Sequence, residues 1–398
     1  MKLCCFVVAV LAAGIGLGCS QGSDSDRARP GLDTLRAALD EHDELERTYL
    51  LTSFLRTLRP EDVPAMLAEV EKHRVGIDAD EVRLFMLAWT RFDGPGAFAA
   101  ARSWPTSWRS ILMDQAMQAW GFNDGRAAHA ALEQIENEEL RERLRAELVA
   151  GWVSSLDREG ATEYAATVAN ARRRTRLAFR LAGNAMRDGP DAVIAWADAV
   201  PEDAPNEFKE SVFGFAAGAV TRFDPERVIA WYESQMQHWY TTSGLHSIAA
   251  KWVQFHDPKD LIIWVETLAI EEAREGERTD SLRLAFRDWT GKAPGEVEAW
   301  LETASGGPTR DVAVDEFARA RAGASPGEAL RWAGQIEDEK LRRRRTLRYS
   351  RAWFVEDPEA ARMWLAEADV PPEWRQQILD NWPQQGRTAG AKSTGSDG

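Results

Sequence analysis

Apolar residues recur along most of this chain with the spacing of one helical face. After Pro258 they are Leu261, Trp264 and Leu268, at offsets of 3, 6 and 10 residues. Side chains at these offsets lie on one side of an α-helix, whereas a β-strand alternates apolar and polar residues. The sequence therefore predicts an amphipathic helix from Pro258, which we call a B helix. No β alternation of useful length occurs along the sequence.

A second amphipathic segment precedes each B helix. Counting back three, four and seven places from Trp289, the residues are Phe286, Ala285 and Leu282. The same count from three other tryptophans again gives apolar residues. These segments predict A helices, each with a single apolar stripe.

The starts of the B helices are evenly spaced along the chain. Marker residues, mostly Pro, recur every 30 to 36 residues, which is about the length of one helix-turn-helix unit. Asp224, Asp257, Ser325 and Asp357 directly precede a marker. Their side chains can accept bonds from the free N–H groups of a helix start, where Pro loses no hydrogen bond. The markers are Pro60, Pro95, Gly125, Arg158, Pro190, Pro225, Pro258, Pro294, Pro326 and Pro358.

Tryptophan is unusually frequent, with 17 residues against 5 tyrosines. Trp231 and Trp264 each stand six residues after the Pro of an Asp-Pro pair. Evenly spaced tryptophans predict core positions in repeated units, whereas a cluster would predict a stacking platform. We interpret Asp-Pro as the start of a B helix and the following Trp as its large buried residue. The alternative is a Trp-lined ligand cleft.

One pair of amphipathic helices cannot bury both apolar stripes alone, but stacked pairs can. We therefore predict an all-α fold, an α-solenoid or right-handed superhelix of about nine to ten helix-turn-helix repeats of roughly 33 residues. In period and helix pairing, residues 31–383 resemble tetratricopeptide-like and related α-solenoid proteins. The resemblance implies the architecture only, because the Trp, Leu, Gly and Tyr pattern of the first tetratricopeptide helix is not reproduced.

The N-terminal stretch resembles the signal of bacterial lipoproteins. Lys2 precedes an apolar segment, residues 3–17, that is short for a transmembrane helix and typical of a secretory signal. The residues IGLG before Cys19 resemble a lipobox, with Gly16 where that family most often has Leu. The resemblance implies a signal peptide over residues 1–18 and acylation of Cys19. The alternative is an ordinary signal peptide with an incidental Cys.

The lipobox also implies a location and a domain order. We expect a flexible tether over residues 19–30, a solenoid over 31–383 and a disordered tail over 384–398. Ser20 follows the acylated Cys, which in well-studied enteric bacteria implies passage to the outer membrane. The prediction is a lipid-anchored protein of the cell envelope, facing the periplasm, with surface exposure as the alternative.

The net charge and the absence of known motifs argue against several classes of function. The formal net charge is -15, which argues against a nucleic-acid binder because phosphate neutralisation needs a cationic face. The sequence has no HExxH, no phosphate-binding GxxxxGK[ST] loop and no GxSxG elbow, and no Cys remains after residue 19. The six histidines have no metal-ligand spacing on one helical face. We therefore predict no enzyme activity, no cofactor and no metal site.

The segment KLRRRRTLRYSR, residues 340–351, is the most unusual surface feature. On a helix ending at Trp353, Lys340, Arg344, Arg348 and Arg351 lie almost opposite Trp353 at 100° per residue. We call these four residues the C-terminal basic stripe. They are candidate partner-binding residues, and the alternative is a solvated face balanced by acids on neighbouring helices.

A second segment, ARRRTRLAFRLA, has the same pattern. With Ala185 in the place of the Trp, Arg172, Arg176 and Arg180 lie on the outer face. We call these three residues the central basic stripe. Both stripes could bind an acidic partner by charge-assisted hydrogen bonds.

The leading functional hypothesis is a lipid-anchored envelope scaffold or adaptor that binds a protein or peptide through its helical-repeat surface. One alternative is a binder of an anionic envelope polymer or glycan. Another is an α/α-toroid carbohydrate hydrolase or lyase, in which helix pairs would close around two catalytic carboxylates.

Overall fold

The structure of the protein is a computed structural model that describes residues 29–380. Several predicted segments lie outside the described residues. They are the signal peptide, Cys19, the tail and most of the tether. Those assignments remain predictions from the sequence.

All regular elements of residues 29–380 are helices, which confirms the predicted all-α class. The α-helices, in chain order from α1 to α22, are Leu32–Asp40, Glu44–Arg56, Val63–Lys72, Ala79–Trp89, Gly94–Ser103, Thr106–Asn123, Gly125–Leu132, Glu138–Trp152, Arg158–Thr167, Ala171–Ala185, Pro190–Asp198, Asn206–Phe223, Pro225–Gln235, Thr242–Phe255, Pro258–Thr267, Glu275–Lys292, Pro294–Thr303, Pro308–Arg321, Pro326–Ala333, Glu339–Glu356, Pro358–Glu367 and Pro372–Asp380.

Every predicted marker lies at the start of a B helix. Eight of the odd-numbered helices, α7 through α21, begin at the marker residue itself. Helix α5 begins one residue before Pro95, and a 3₁₀ turn from Pro60 to Asp62 leads into α3. The ten B helices alternate with A helices, which confirms the helical-repeat organisation expected of an α-solenoid.

Aspartates cap most of the B helices. Asp224, Asp257 and Asp357 accept hydrogen bonds from backbone N–H groups two or three residues later, at 2.9 to 3.0 Å. These caps are as predicted, but the same prediction for Ser325 is wrong, because its side chain forms no cap bond. Caps that the Asp-Pro pattern missed occur where Pro does not directly follow the acid, at Asp93, Asp124 and Asp157.

The chain forms two compact units, divided between Ala119 and Trp120. In the first unit, ion pairs join residues about one repeat apart. Arg36 Nη2 lies 2.9 Å from Glu69 Oε1, and Arg47 Nη2 donates to Glu81 Oε2 at 3.0 Å. These pairs join α1 to α3 and α2 to α4.

In the second unit, the A helices α10, α12, α14 and α16 each pack along the next A helix, up to α18. Four consecutive B helices, α9, α11, α13 and α15, are joined across repeats by the tryptophan six residues after the marker, which is buried in α11, α13 and α15. Its Nε1 donates to a side chain of the preceding B helix. The bonds run from Trp196 to Thr162, from Trp231 to Asp198 and from Trp264 to Glu233, at 2.8 to 3.0 Å.

An arginine in the first turn of several A helices binds the end of the preceding B-helix segment. Its guanidinium donates to a backbone carbonyl six residues earlier, where helix termini leave unsatisfied oxygens and a partial negative charge. Sequence periodicity did not separate these arginines from the others. The bonds from Nη1 join Arg141 to Ile135, Arg174 to Val168 and Arg342 to Ile336, at 2.9, 2.7 and 2.5 Å.

Candidate functional site

The C-terminal basic stripe lies on the outer face of α20. Lys340, Arg344, Arg348 and Arg351 are all exposed, as the helical spacing predicted. The opposite face of α20 is buried through Tyr349 and other residues. Among the described residues, none of the four stripe residues has an ion pair or a hydrogen bond to its side chain.

The remaining arginines of α20 have structural partners. Arg345 is largely buried and forms a bidentate pair with Asp315 of α18, with Nη2 and Oδ2 2.7 Å apart. The same helix α18 supplies Asp311, whose carboxylate accepts hydrogen bonds from the backbone N–H groups of Glu337 and Asp338 at 2.7 and 2.8 Å. The arginines of α20 therefore have two roles. Arg345 holds the helix against α18, whereas the arginines of the C-terminal basic stripe face solvent.

The central basic stripe lies on α10 in the same way. Arg172, Arg176 and Arg180 are exposed, and Ala185 is buried, as predicted. Arg180 Nη2 donates to the carbonyl of Ala150 at 3.3 Å. Within residues 29–380, neither Arg172 nor Arg176 forms an ion pair or a side-chain hydrogen bond.

Two members of the central basic stripe line a groove between α8 and α10. Its volume is about 450 Å³, and Arg172 does not line it. The floor is apolar, and Tyr164 of α9 also lines the groove. The residues that line the groove are Glu142, Arg145, Ala146, Val149, Tyr164, Val168, Arg173, Arg176, Leu177 and Arg180.

The cations of the groove differ in how they are neutralised. Arg145 pairs with Glu142, and its Nη2 lies 2.9 Å from Glu133 Oε1. Arg173 Nη1 lies 3.5 Å from Glu142 Oε2. Neither Arg176 nor Arg180 has a carboxylate partner among the described residues. One end of the groove therefore carries uncompensated positive charge.

A second cavity of about 300 Å³ extends the groove toward α7. The two cavities share Glu142, Arg145, Tyr164, Val168 and Arg173. This end is aromatic. The Tyr164 ring centroid lies 5.0 Å from that of His129 and 5.4 Å from that of Trp152. Burial raises the pKa of the Tyr164 phenol above its ordinary value.

The groove exists because α8 and α10 do not pack closely along each other, unlike the successive A helices from α10 to α18. Between α12 and α14 the facing residues are small. A Cβ atom placed on Gly214 would lie 3.2 Å from the hydroxyls of both Ser243 and Ser247. Between α8 and α10 the facing residues include Arg145 and Arg176, and such long side chains keep helix backbones apart.

Two further cavities adjoin α20. The larger, about 770 Å³, lies among α19 to α22 and includes Arg331, Arg342 and Trp374 in its lining. The smaller, about 280 Å³, is lined in part by Arg348 and Arg351. The sequence-predicted candidates are thus in two places, separated along the chain by helices α11 to α19.

In the part of the chain that the structure describes, no group of three or more His, Cys, Asp or Glu side chains could hold a metal ion. None of the described helices has the length and apolar character needed to cross a membrane.

In comparisons with known proteins, no family model, no curated protein and no solved structure matched this chain.

Proposed function

We propose that this protein is a lipid-anchored adaptor of the cell envelope that binds an acidic protein or peptide through its basic stripes. The observation that carries the proposal is the state of the stripe arginines. Arg176 on α10 and Arg344 and Arg348 on α20 are exposed and have no carboxylate partner among the described residues. Arginines elsewhere commonly pair with carboxylates, as Arg47 does with Glu81.

Unpaired guanidinium groups support a binding role for an electrostatic reason. The chain carries a formal net charge of -15. A surface on which arginines have no carboxylate partner therefore differs in charge from the protein as a whole. Guanidinium groups form bidentate bonds with carboxylates, and complementary charge raises the rate and specificity of association.

The test is capture of partners by the acylated full chain from detergent-solubilised envelope, compared with a variant in which Arg344, Arg348 and Arg351 are changed to Gln. We expect the wild type to retain an acidic protein that the variant releases. Retention should weaken with salt, because exposed charges are screened over ~8 Å at physiological ionic strength. Equal retention by both proteins at all salt concentrations would contradict a role for the C-terminal basic stripe.

An anionic envelope polymer or glycan is the second candidate, because its repeated charges would also match evenly spaced cations. The two candidates differ in what the capture experiment yields. Digestion of the eluate with protease would destroy a protein partner and leave a polymer intact. Recovery of only protease-resistant anionic material would favour the polymer.

The anchoring part of the proposal depends on Cys19 and is tested separately. Metabolic labelling with a fatty acid should mark the wild type and place it in the membrane fraction. The Cys19→Ala variant should take up no label and leave that fraction. A Cys19→Ala protein that is labelled and sediments like the wild type would contradict lipidation at this residue.

A further inference from the structure

We propose that the groove between α8 and α10 is a binding site for an acidic peptide segment that carries an apolar side chain. The inference rests on the proposed function and makes it specific, because it assigns binding to a groove rather than to a whole basic face. The occupant is a segment of another protein with Asp or Glu residues next to an aliphatic or aromatic residue.

The charges of the groove select an acidic ligand. Arg176 and Arg180 stand four residues apart on α10, which places them on one side of the helix. Both are exposed and lack a carboxylate partner among the described residues. A ligand carboxylate beside them would supply the carboxylate oxygens that this end of the groove lacks, and guanidinium groups bind these in bidentate pairs.

The floor of the groove selects an apolar side chain next to the acid. Leu177 is buried at the base, and Val149 and Val168 are half-buried along it. Burying an aliphatic or aromatic side chain against these residues removes apolar surface from water on both partners. A purely polar polyanion would leave this surface exposed, so the floor favours a peptide over a uniformly charged polymer.

The length of the groove favours an extended segment over a small molecule. Arg173, Arg176 and Arg180 follow one another along α10, and a rise of 1.5 Å per residue separates the first from the last by about 10 Å. An extended peptide covers this distance with about three residues. The adjoining cavity then continues the path past Tyr164 to His129.

Glu142 is the one acid that lines both cavities beside Arg145 and Arg173. Its carboxylate occupies guanidinium donors that a ligand acid would otherwise use. We therefore expect Glu142→Gln to bind an acidic peptide several-fold more tightly than the wild type. A gain in affinity is informative, since a variant that merely damages the fold would not produce it.

The experiment uses a random peptide library displayed on phage and selected on the purified full chain. The proposal expects the selected peptides to combine acidic residues with an aliphatic or aromatic residue. One such peptide is then synthesised and titrated. Changing Arg176 and Arg180 together to Gln should weaken binding by about tenfold or more, the size expected when charge-assisted hydrogen bonds are lost.

Arg172→Gln is the matched control, because Arg172 lies on the same exposed face of α10 but outside the groove. It should change the affinity by less than about twofold, as expected for one exposed charge. Val149→Thr nearly keeps the shape of the side chain and replaces one methyl group with a hydroxyl. It should weaken the selected peptide but not an analogue whose apolar residue is replaced by Ala.

Three results would overturn the inference. The library could yield no enrichment of acidic peptides with an apolar residue. Arg172→Gln could weaken binding as much as the two groove substitutions, which would indicate general attraction to the basic face. The selected peptide could respond only to the Gln substitutions at Arg344, Arg348 and Arg351. The last two results would leave the proposed function standing, so the failure of the groove is distinguishable from the failure of the adaptor.

Discussion

Neighbouring arginines in this protein have different surroundings, which their positions in a helical repeat explain. In α10, Arg174 donates to the carbonyl of Val168, whereas Arg176, two residues later, faces solvent in the groove. The angle of 100° per residue predicted that Arg172, Arg176 and Arg180 would be exposed. It could not predict that two of them line a groove and one does not, since that depends on where α8 lies.

Trp264 tests whether the residue six places after Asp-Pro is structural. It is 7% exposed, stacks with Trp252 at 6.1 Å and donates to Glu233. Trp264→Ala should lower the free energy of unfolding by about 3 to 5 kcal/mol, because it removes a large buried side chain. Asp257→Ala removes a helix cap and a half-exposed ion pair with Lys259, and should lower it by about 1 kcal/mol. Denaturant unfolding measures both.

Trp264→Phe is the control for the two roles of this side chain. It keeps a buried aromatic ring but removes the Nε1 donor to Glu233, so it should be less destabilising than Trp264→Ala. A Trp264→Ala protein with the unfolding midpoint of the wild type would show that the ring does not support the fold. That result would favour the alternative, in which the tryptophans line a ligand cleft.

At the scale of helices, the side chains between two A helices determine how closely they approach. Glycine at position 121, in the last turn of α6, is in close contact with the backbone of α8. A Cβ atom placed there would lie 2.4 Å from the carbonyl oxygen of Leu148. Backbone atoms cannot move aside without moving the helix, so a larger residue at this position would displace the backbone around Leu148.

Gly121→Ala should therefore destabilise the protein by about 1 to 3 kcal/mol, as overpacking does, although Ala is the better helix former. Gly183→Ala is the matched control. Gly183 lies in α10, and a Cβ atom there would meet no other atom within 4 Å. The control should be neutral or stabilising by about 0.4 to 1 kcal/mol. Thermal unfolding of both variants tests the difference, and equal effects would contradict a close contact between Gly121 and Leu148.

Over the whole molecule, much of the fold could be predicted from the sequence because its signals are local and repeated. Caps, Pro at the first helical position and a helical apolar period each act within one unit, and ten units repeat them. The buried pair of Arg345 with Asp315 was not predicted, nor was the α8–α10 groove. Both depend on side chains that lie about 30 residues or more apart and meet only after neighbouring repeats have packed.

Buried tyrosines predict how the stability of the protein depends on alkaline pH. Burial raises the pKa of Tyr232 to about 12 from the ordinary value of 10.0. It also raises the pKa values of Tyr164, Tyr240 and Tyr349. Because the folded protein favours the protonated phenol, its contribution is complete below the unfolded pKa of about 10 and is lost as the pH rises through the folded value.

The free energy of unfolding, measured by denaturant titration, should therefore fall between about pH 10 and about pH 12. Tyr232→Phe keeps the buried ring but cannot ionise, so its stability should fall less steeply over the same range. If Tyr232→Phe follows the wild-type curve throughout, ionisation of this phenol does not contribute to alkaline unfolding.

The tryptophan bonds between B helices have a consequence for how the array can change in evolution. Each Trp donates one N–H to the preceding repeat, where the acceptor is Thr162, Asp198 or Glu233. Hydroxyls and carboxylates all accept this bond, so the acceptor need not match its own donor. Loss or duplication of one of these three units would leave each of the three tryptophans facing a hydroxyl or a carboxylate of the preceding B helix. In the stretch from α9 to α15, the gene can therefore lengthen or shorten by single units without a compensating mutation at these bonds.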